Sequence, residues 1–453
     1  MNAKQIRKAS SLLVIGTMVA GALSACSGSG DNENKGSAAS SPSASHSPAA
    51  SESSKPAGER SKVSVWYLWG GAEGEALEQI IKEFNASQDK YTVEGLSVPD
   101  EQKIKVAIAG GNGPDLTDSF DWVVPQYAQQ GIALPLDDLI ARDSYDVSDF
   151  IPAALESGRF DGKLYSLPLN ANFSIMYYNK KLLADAGYSE PPKTSKELYE
   201  MAVKMTKVNS DGSIDVIGFP SYPSEAYLFN TLAYGFGSSY LSADAKELTF
   251  NNESTKAAMQ MIYDYNTQFG VDNIRQLQAA GKWLDPTDPF LTGKQAIRFD
   301  GPWLSAHIKN KEVDIDYGIS ALPYLDGKPE TAGGGLVSSS IFYIAKTSKN
   351  VDGAWEFMKY LYSPEPLAKF MSLMGNVPAT KSAMVQPVMK DMADFELIKP
   401  LTESPNLKQI PHFAKRSDFD KMMGEELELM FNLKKTPDET LSLLDGKLAE
   451  LLK

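Results

Sequence analysis

The chain has 453 residues, 42% hydrophobic and 23% charged, the balance of a soluble globular protein with more than one folding unit. Its net charge of −14 runs along the whole chain and excludes the basic face that nucleic acid phosphates need. Twenty Tyr, nineteen Phe and six Trp supply many flat apolar surfaces with polar edges.

In chain order, Lys4, Arg7 and Lys8 form a positive head before SLLVIGTMVAGAL, an apolar stretch too short for a comfortable membrane span. Leu23-Ser24-Ala25-Cys26 follows, ending on the only cysteine, which therefore has no intramolecular disulfide partner. This run resembles the lipobox of bacterial lipoproteins. The resemblance implies a signal peptide over 1–25, lipidation of Cys26 and anchoring to a membrane. Residues 26–60 hold almost nothing that could bury and are expected to form a disordered tether, with a reach of roughly 30 Å.

The body begins with KVSVWYLWG, Lys62 to Gly70, a strand running into a Gly-Gly turn. Leu77, Ile80, Ile81 and Phe84 then have the spacing of a helix face. YTVEGLSV reads as a second strand, EQKIKVAIAGG as a helix stopped by glycines, and PDLTDSF as a third strand. That alternation predicts an open α/β sheet, in which ligands sit beyond the carboxyl ends of the strands, where Trp69, Asp121 and Trp122 fall. Thr194-Ser195 caps a further helix, and helical patterns recur near Glu253–Tyr265, Asp352–Tyr362 and Glu425–Asn432. Between them, Ile297 and Phe299 read as a short buried strand broken by Asp300-Gly301-Pro302, with Trp303 opening a helix. Trp66 and Trp355 are expected in the core, and His412 and Arg416 on the surface, with ligand contact from the C-terminal helices as the alternative.

The three histidines, 46, 307 and 412, are scattered, and neither HExxH nor paired CxxC occurs, so no metal is expected. A nucleophile elbow and a phosphate loop are absent as well, and no cofactor is implied.

The ordered set of lipobox, tether, VSVWYLWG, GGNGPDL, GIALPLDDLI, GKLYSLPL, YYNKKLLADAG-PPKT, FLTGKQAIRFDGPW and LPYLDGK-GGG resembles the family 1 extracellular solute-binding proteins of ABC importers. The resemblance implies a two-lobe α/β fold with the ligand cleft between the lobes. It places lobe 1 at 61–168 and 297–343 and lobe 2 at 169–296 and 344–453. It further implies a monomer that is not an enzyme, binds a carbohydrate, docks on permease subunits, and sits at the outer face of the bacterial cytoplasmic membrane.

In the sugar-binding members the Trp after Gly-Pro stacks on a sugar ring; here that is Trp303, following Asp300. The loop after Pro-Asp supplies Asp121 and Trp122, and the first strand end Trp69 and Glu73. Asn172 stands where such members carry a carboxylate. Tyr222, Glu225, Trp283, Gly334 and Gly335 complete the candidate contacts. Two rivals stay open: the same fold holding a non-sugar solute, and a tethered glycosidase or lyase, which would need two facing carboxylates.

Overall fold

The computed structural model describes residues 60–219, 225–242 and 247–452. The signal peptide, Cys26 and nearly all of the tether lie outside the described residues, as does Tyr222. The described residues form one compact unit.

The first five elements follow from alternation. In β1 (Ser61–Tyr67) Val63, Val65 and Tyr67 are buried on one face, and the following helix α1 (Gly71–Ser87) lays Leu77, Ile80, Ile81 and Phe84 against them. Next come β2 (Tyr91–Ser97), α2 (Glu101–Ala109), capped by Asp100 accepting from the Lys103 amide, and β3 (Leu116–Phe120). β1 pairs in parallel with β2 and β3, with Val63 opposite Val93 and Val65 opposite Leu116. After a run of loops and short helices come three short strands, β4 (Leu167–Pro168), β5 (Asn172–Phe173) and β6 (Ile175–Asn179). Beyond them lie α3 (Ser195–Met205), opened by a full capping box at Thr194 and Glu197, α4 (Glu225–Gly235) and α5 (Glu253–Phe269).

The Asp300-Gly301-Pro302 break separates β7 (Ile297–Asp300) from α6 (Trp303–Asn310). The chain continues through β8 (Tyr317–Ser320), β9 (Gly335–Ser338), β10 (Ser340–Ile344), α7 (Val351–Leu361) and α8 (Pro364–Met374). It ends with β11 (Leu407–Lys408), α9 (Arg416–Phe431) and α10 (Pro437–Leu451).

Two sheets organise the lobes. The first has the order β2-β1-β3-β10-β4, with β10 antiparallel to β3. The second has the order β7-β6-β8, with both edges antiparallel to β6. This pairing corrects two of the expected boundaries. Residues 297–300 do not open a return to the first lobe: Ile297 to Asp300 pair with Tyr178 to Ile175, so β7, α6 and β8 belong with β6. The return comes where β9 gives way to β10. Residues 351–374 were expected in the second lobe, yet α7 packs on β1 and α8 on α1, with Trp355, Phe357, Phe370 and Met371 in the first core. Only the last helices, α9 and α10, join α4 and α5 in the second core.

The lobes meet at three neighbouring chain crossings. Phe173 pairs with Val337 and Asn172 with Ser338, and Asn170 bridges to Pro378. The Asn172 amide ties the third crossing down, donating to Asn376 Oδ1 at 2.9 Å and accepting from the Val377 amide at 3.2 Å.

Candidate functional site

Between the lobes lies a cavity of about 410 Å³. The first lobe contributes Asp121 and Trp122, on a 3-10 turn directly after β3. The crossings contribute Phe173, Ser174 and Leu336 to Ser338; the second lobe contributes Tyr227 and Asn230 of α4 and Trp303 of α6. The remaining wall is the stretch from Gln409 to Met423.

Asp121 is only 5% exposed. Its backbone amide donates to the Ser339 carbonyl at 3.0 Å, and its carboxylate accepts from the Ser339 amide at 3.2 Å and from Gln409 Nε2 at 3.3 Å. Burial pushes its pKa up to about 7, and the nearby Arg416 charge pulls against that rise. Arg416 itself is spent on Asp420, whose two oxygens accept from Nε at 2.7 and 2.9 Å. Trp122 is 43% exposed and lies stacked on Phe120, with ring centroids 4.5 Å apart and planes within 9°.

Trp303 is half-buried, and its indole folds back over Gly301: a Cβ on that glycine would meet the six-membered ring at 2.2 Å. The corner is held by an ion triad. Arg298 spans Asp288 and Asp300 with hydrogen bonds of 2.7 to 2.9 Å, and Asp300 Oδ1 accepts from the Gly301 amide at 2.8 Å. All three side chains are buried, so the charges are matched to each other instead of to water.

Asp121, Trp122 and Trp303 thus line one cavity. Of the other candidates, those with described side chains are not among its lining residues. Trp69 is 8% exposed and set edge-on between Phe342 and Phe370, at 5.9 and 5.7 Å, because alternation along β1 sends it to the same face as Val65 and Tyr67. Trp66, expected in the core, takes the opposite face and is half-buried. Trp355 is fully buried, as expected. Glu73 sits in the first turn of α1, away from the cavity lining. Asn172 is engaged at the crossings, and Asp300 is consumed by Arg298, Gly301 and the Trp283 indole, which donates to it at 3.0 Å. That bond leaves Trp283 on the outside, 43% exposed. Gly334 and Gly335 are buried, and a Cβ at Gly334 would press on the carbonyls of Tyr234 and Gly235 at 2.7 Å; their job is close backbone packing. Glu225 opens α4, and its side chain is outside the described residues.

The stretch before and into α9 lies outside the candidate contacts named above. His412 and Arg416, expected at the surface, line the cavity. The His412 Nδ1 lies 3.0 Å from the Arg159 carbonyl, and burial lowers its pKa to about 4, so it is neutral at pH 7. The Arg416–Asp420 spacing of four was a usable signal, since it marks one helix face. Ser174 was a further omission; its hydroxyl reaches the Tyr227 hydroxyl at 2.6 Å.

Comparison with known proteins adds the following. The family model described as bacterial extracellular solute-binding protein matches residues 69–368. The maltotriose-binding protein of Pyrococcus abyssi is 28% identical over 349 residues, covering 73% of this chain and 69% of the relative. The sn-glycerol-3-phosphate-binding periplasmic protein of Rhizobium meliloti is 26% identical over 339 residues, 71% of this chain and 76% of that one. Among solved structures, CpMnBP1 with mannobiose bound superposes with a TM-score of 0.74 at 24% identity, covering 86% of this chain and 99% of that chain. The sugar-binding protein MalE of Xanthomonas citri gives 0.70 at 21% identity, covering 86% and 97%. These likenesses establish the two-lobe fold with its cleft.

Proposed function

Because the chain belongs to the bacterial extracellular solute-binding protein family, we propose that it captures an oligosaccharide between its lobes and hands it to an ATP-driven importer without altering it. The observation that carries this reading is the cavity itself, which is lined by tryptophans from opposite lobes and by a buried carboxyl group. A sugar ring presents an apolar C–H face and a belt of hydroxyls. Trp303 and Trp122 cover the first, and Asp121, Gln409 and Asn230 answer the second. A few such contacts, at about 0.5–1.5 kcal/mol for a bond between neutral groups and about 1.5–3 kcal/mol for one to a charged group, together with the stacked rings reach micromolar binding, about −8 kcal/mol. Binding closes the lobes only by the margin with which the sugar prefers the closed form.

An anionic solute such as a sugar phosphate fits less well. Arg416 is the cation among the described lining residues, and Asp420 already neutralises it. Titration calorimetry of the full chain with maltotriose, mannobiose and sn-glycerol 3-phosphate separates the readings. Heat from a sugar, lost in Trp303→Ala, is the expected result; heat from the phosphate alone would sink the carbohydrate reading.

The same proposal puts a lipid on Cys26, with 26–60 as the leash to the membrane and the body working as a monomer. Leu23-Ser24-Ala25 before Cys26 supports it. In a bacterial host, Cys26→Ser should release the protein from the membrane fraction.

A further inference from the structure

We infer that His412 is a specificity-determining residue, its Nε2 accepting a hydrogen bond from a ligand hydroxyl; this rests on the carbohydrate reading. The Arg159 carbonyl, 3.0 Å from Nδ1, can only accept, so Nδ1 carries the proton and Nε2 is left as a bare acceptor. That Nε2 is buried and has no partner. The ring lines both the 410 Å³ cavity and an adjoining groove of about 920 Å³. Two other lining residues share the condition: Trp303 Nε1, a donor, and Asn230 Oδ1, an acceptor, are also buried without partners. Unpartnered buried polar atoms are rare, and three around one cavity describe its intended occupant. That occupant supplies both donors and an acceptor, as a run of hydroxyls does, and an ether or methyl in their place fails at His412.

Side-chain geometry provides the test. Asn at this position keeps a donor near the place of Nδ1 and can hold the Arg159 carbonyl, but has nothing at Nε2. Gln reaches the Nε2 position with its amide oxygen and gives up the strap to Arg159. Calorimetry on the full chain uses maltotriose and mannobiose. For whichever sugar the parent binds, His412→Asn should weaken binding about tenfold or more, and His412→Gln should stay within about threefold. If Asn binds like the parent, or Gln weakens as much as Asn, His412 is a strap for the Arg159 backbone and the inference falls. If neither sugar binds the parent, the carbohydrate reading fails first and takes the inference with it.

Discussion

Two strand-to-helix junctions carry a tryptophan in the same formal position, and the fold uses them in opposite ways. Trp69 follows β1 and is closed over by Phe342 and Phe370; Trp303 follows β7 and faces the cleft. What separates them is the third element. At the first junction β10 and α8 arrive from far along the chain and cover the ring. At the second, an ion triad holds the corner and the ring lies against its own glycine at the cavity wall. An aromatic at a strand end is therefore a site only where nothing later in the chain needs it as a plug.

The contrast can be broken by substitution. Trp69→Ala should cost about 3–5 kcal/mol of stability in denaturant titrations, the range for deleting a buried aromatic, and leave sugar affinity within a few-fold. Arg298→Met should cost a comparable amount, about 3–5 kcal/mol, because Asp288 and Asp300 would remain buried without their cation. Trp303→Ala should do the reverse of Trp69→Ala, weakening ligand binding by about 1–3 kcal/mol while the melting temperature barely moves. Equal effects of the two tryptophan variants on both readouts would erase the distinction.

The smallest effect is a slope. Asp118, under the first junction, accepts from the Leu68 amide and is otherwise sealed, and burial raises its pKa to about 8. Between the unfolded value of 3.8 and about 8 the native state holds a proton that the unfolded chain has lost. Its stabilising contribution is complete below that window and is lost as pH rises through it, by up to about 1.4 kcal/mol per pH unit. Asp118→Asn should flatten this fall when stability is followed from pH 5 to 8.

Much of the fold was legible because it rests on local period. The alternation of Val63, Val65 and Tyr67, the helical spacing of Leu77 to Phe84, and the break at Asp300-Gly301-Pro302 each act within a few residues. The same alternation carried on to Trp69 would have predicted its burial and the place of Trp66 on the opposite face, against the smaller cluster around Ile104 and Ile341. The lobe boundaries were misplaced because a strand's partner is a long-range property: nothing in IRFD announces Tyr178 to Ile175 as its neighbour. The site divides along the same line. Asp121, Trp122 and Trp303 stand at chain breaks visible in the sequence. Gln409, His412 and Arg416 reach the cavity only because α9 packs on α4, more than 180 residues away in the chain.

The three crossings have a mechanical consequence. Phe173 on Val337, Asn172 on Ser338 and Asn170 on Pro378 lace three chain segments together within a few residues of one another. Hinges set in line cannot shear or twist separately, so the relative motion of the two halves reduces to a single angular coordinate. Fluorophore pairs placed at any facing points across the opening should then relax with one shared rate constant, whatever pair is chosen.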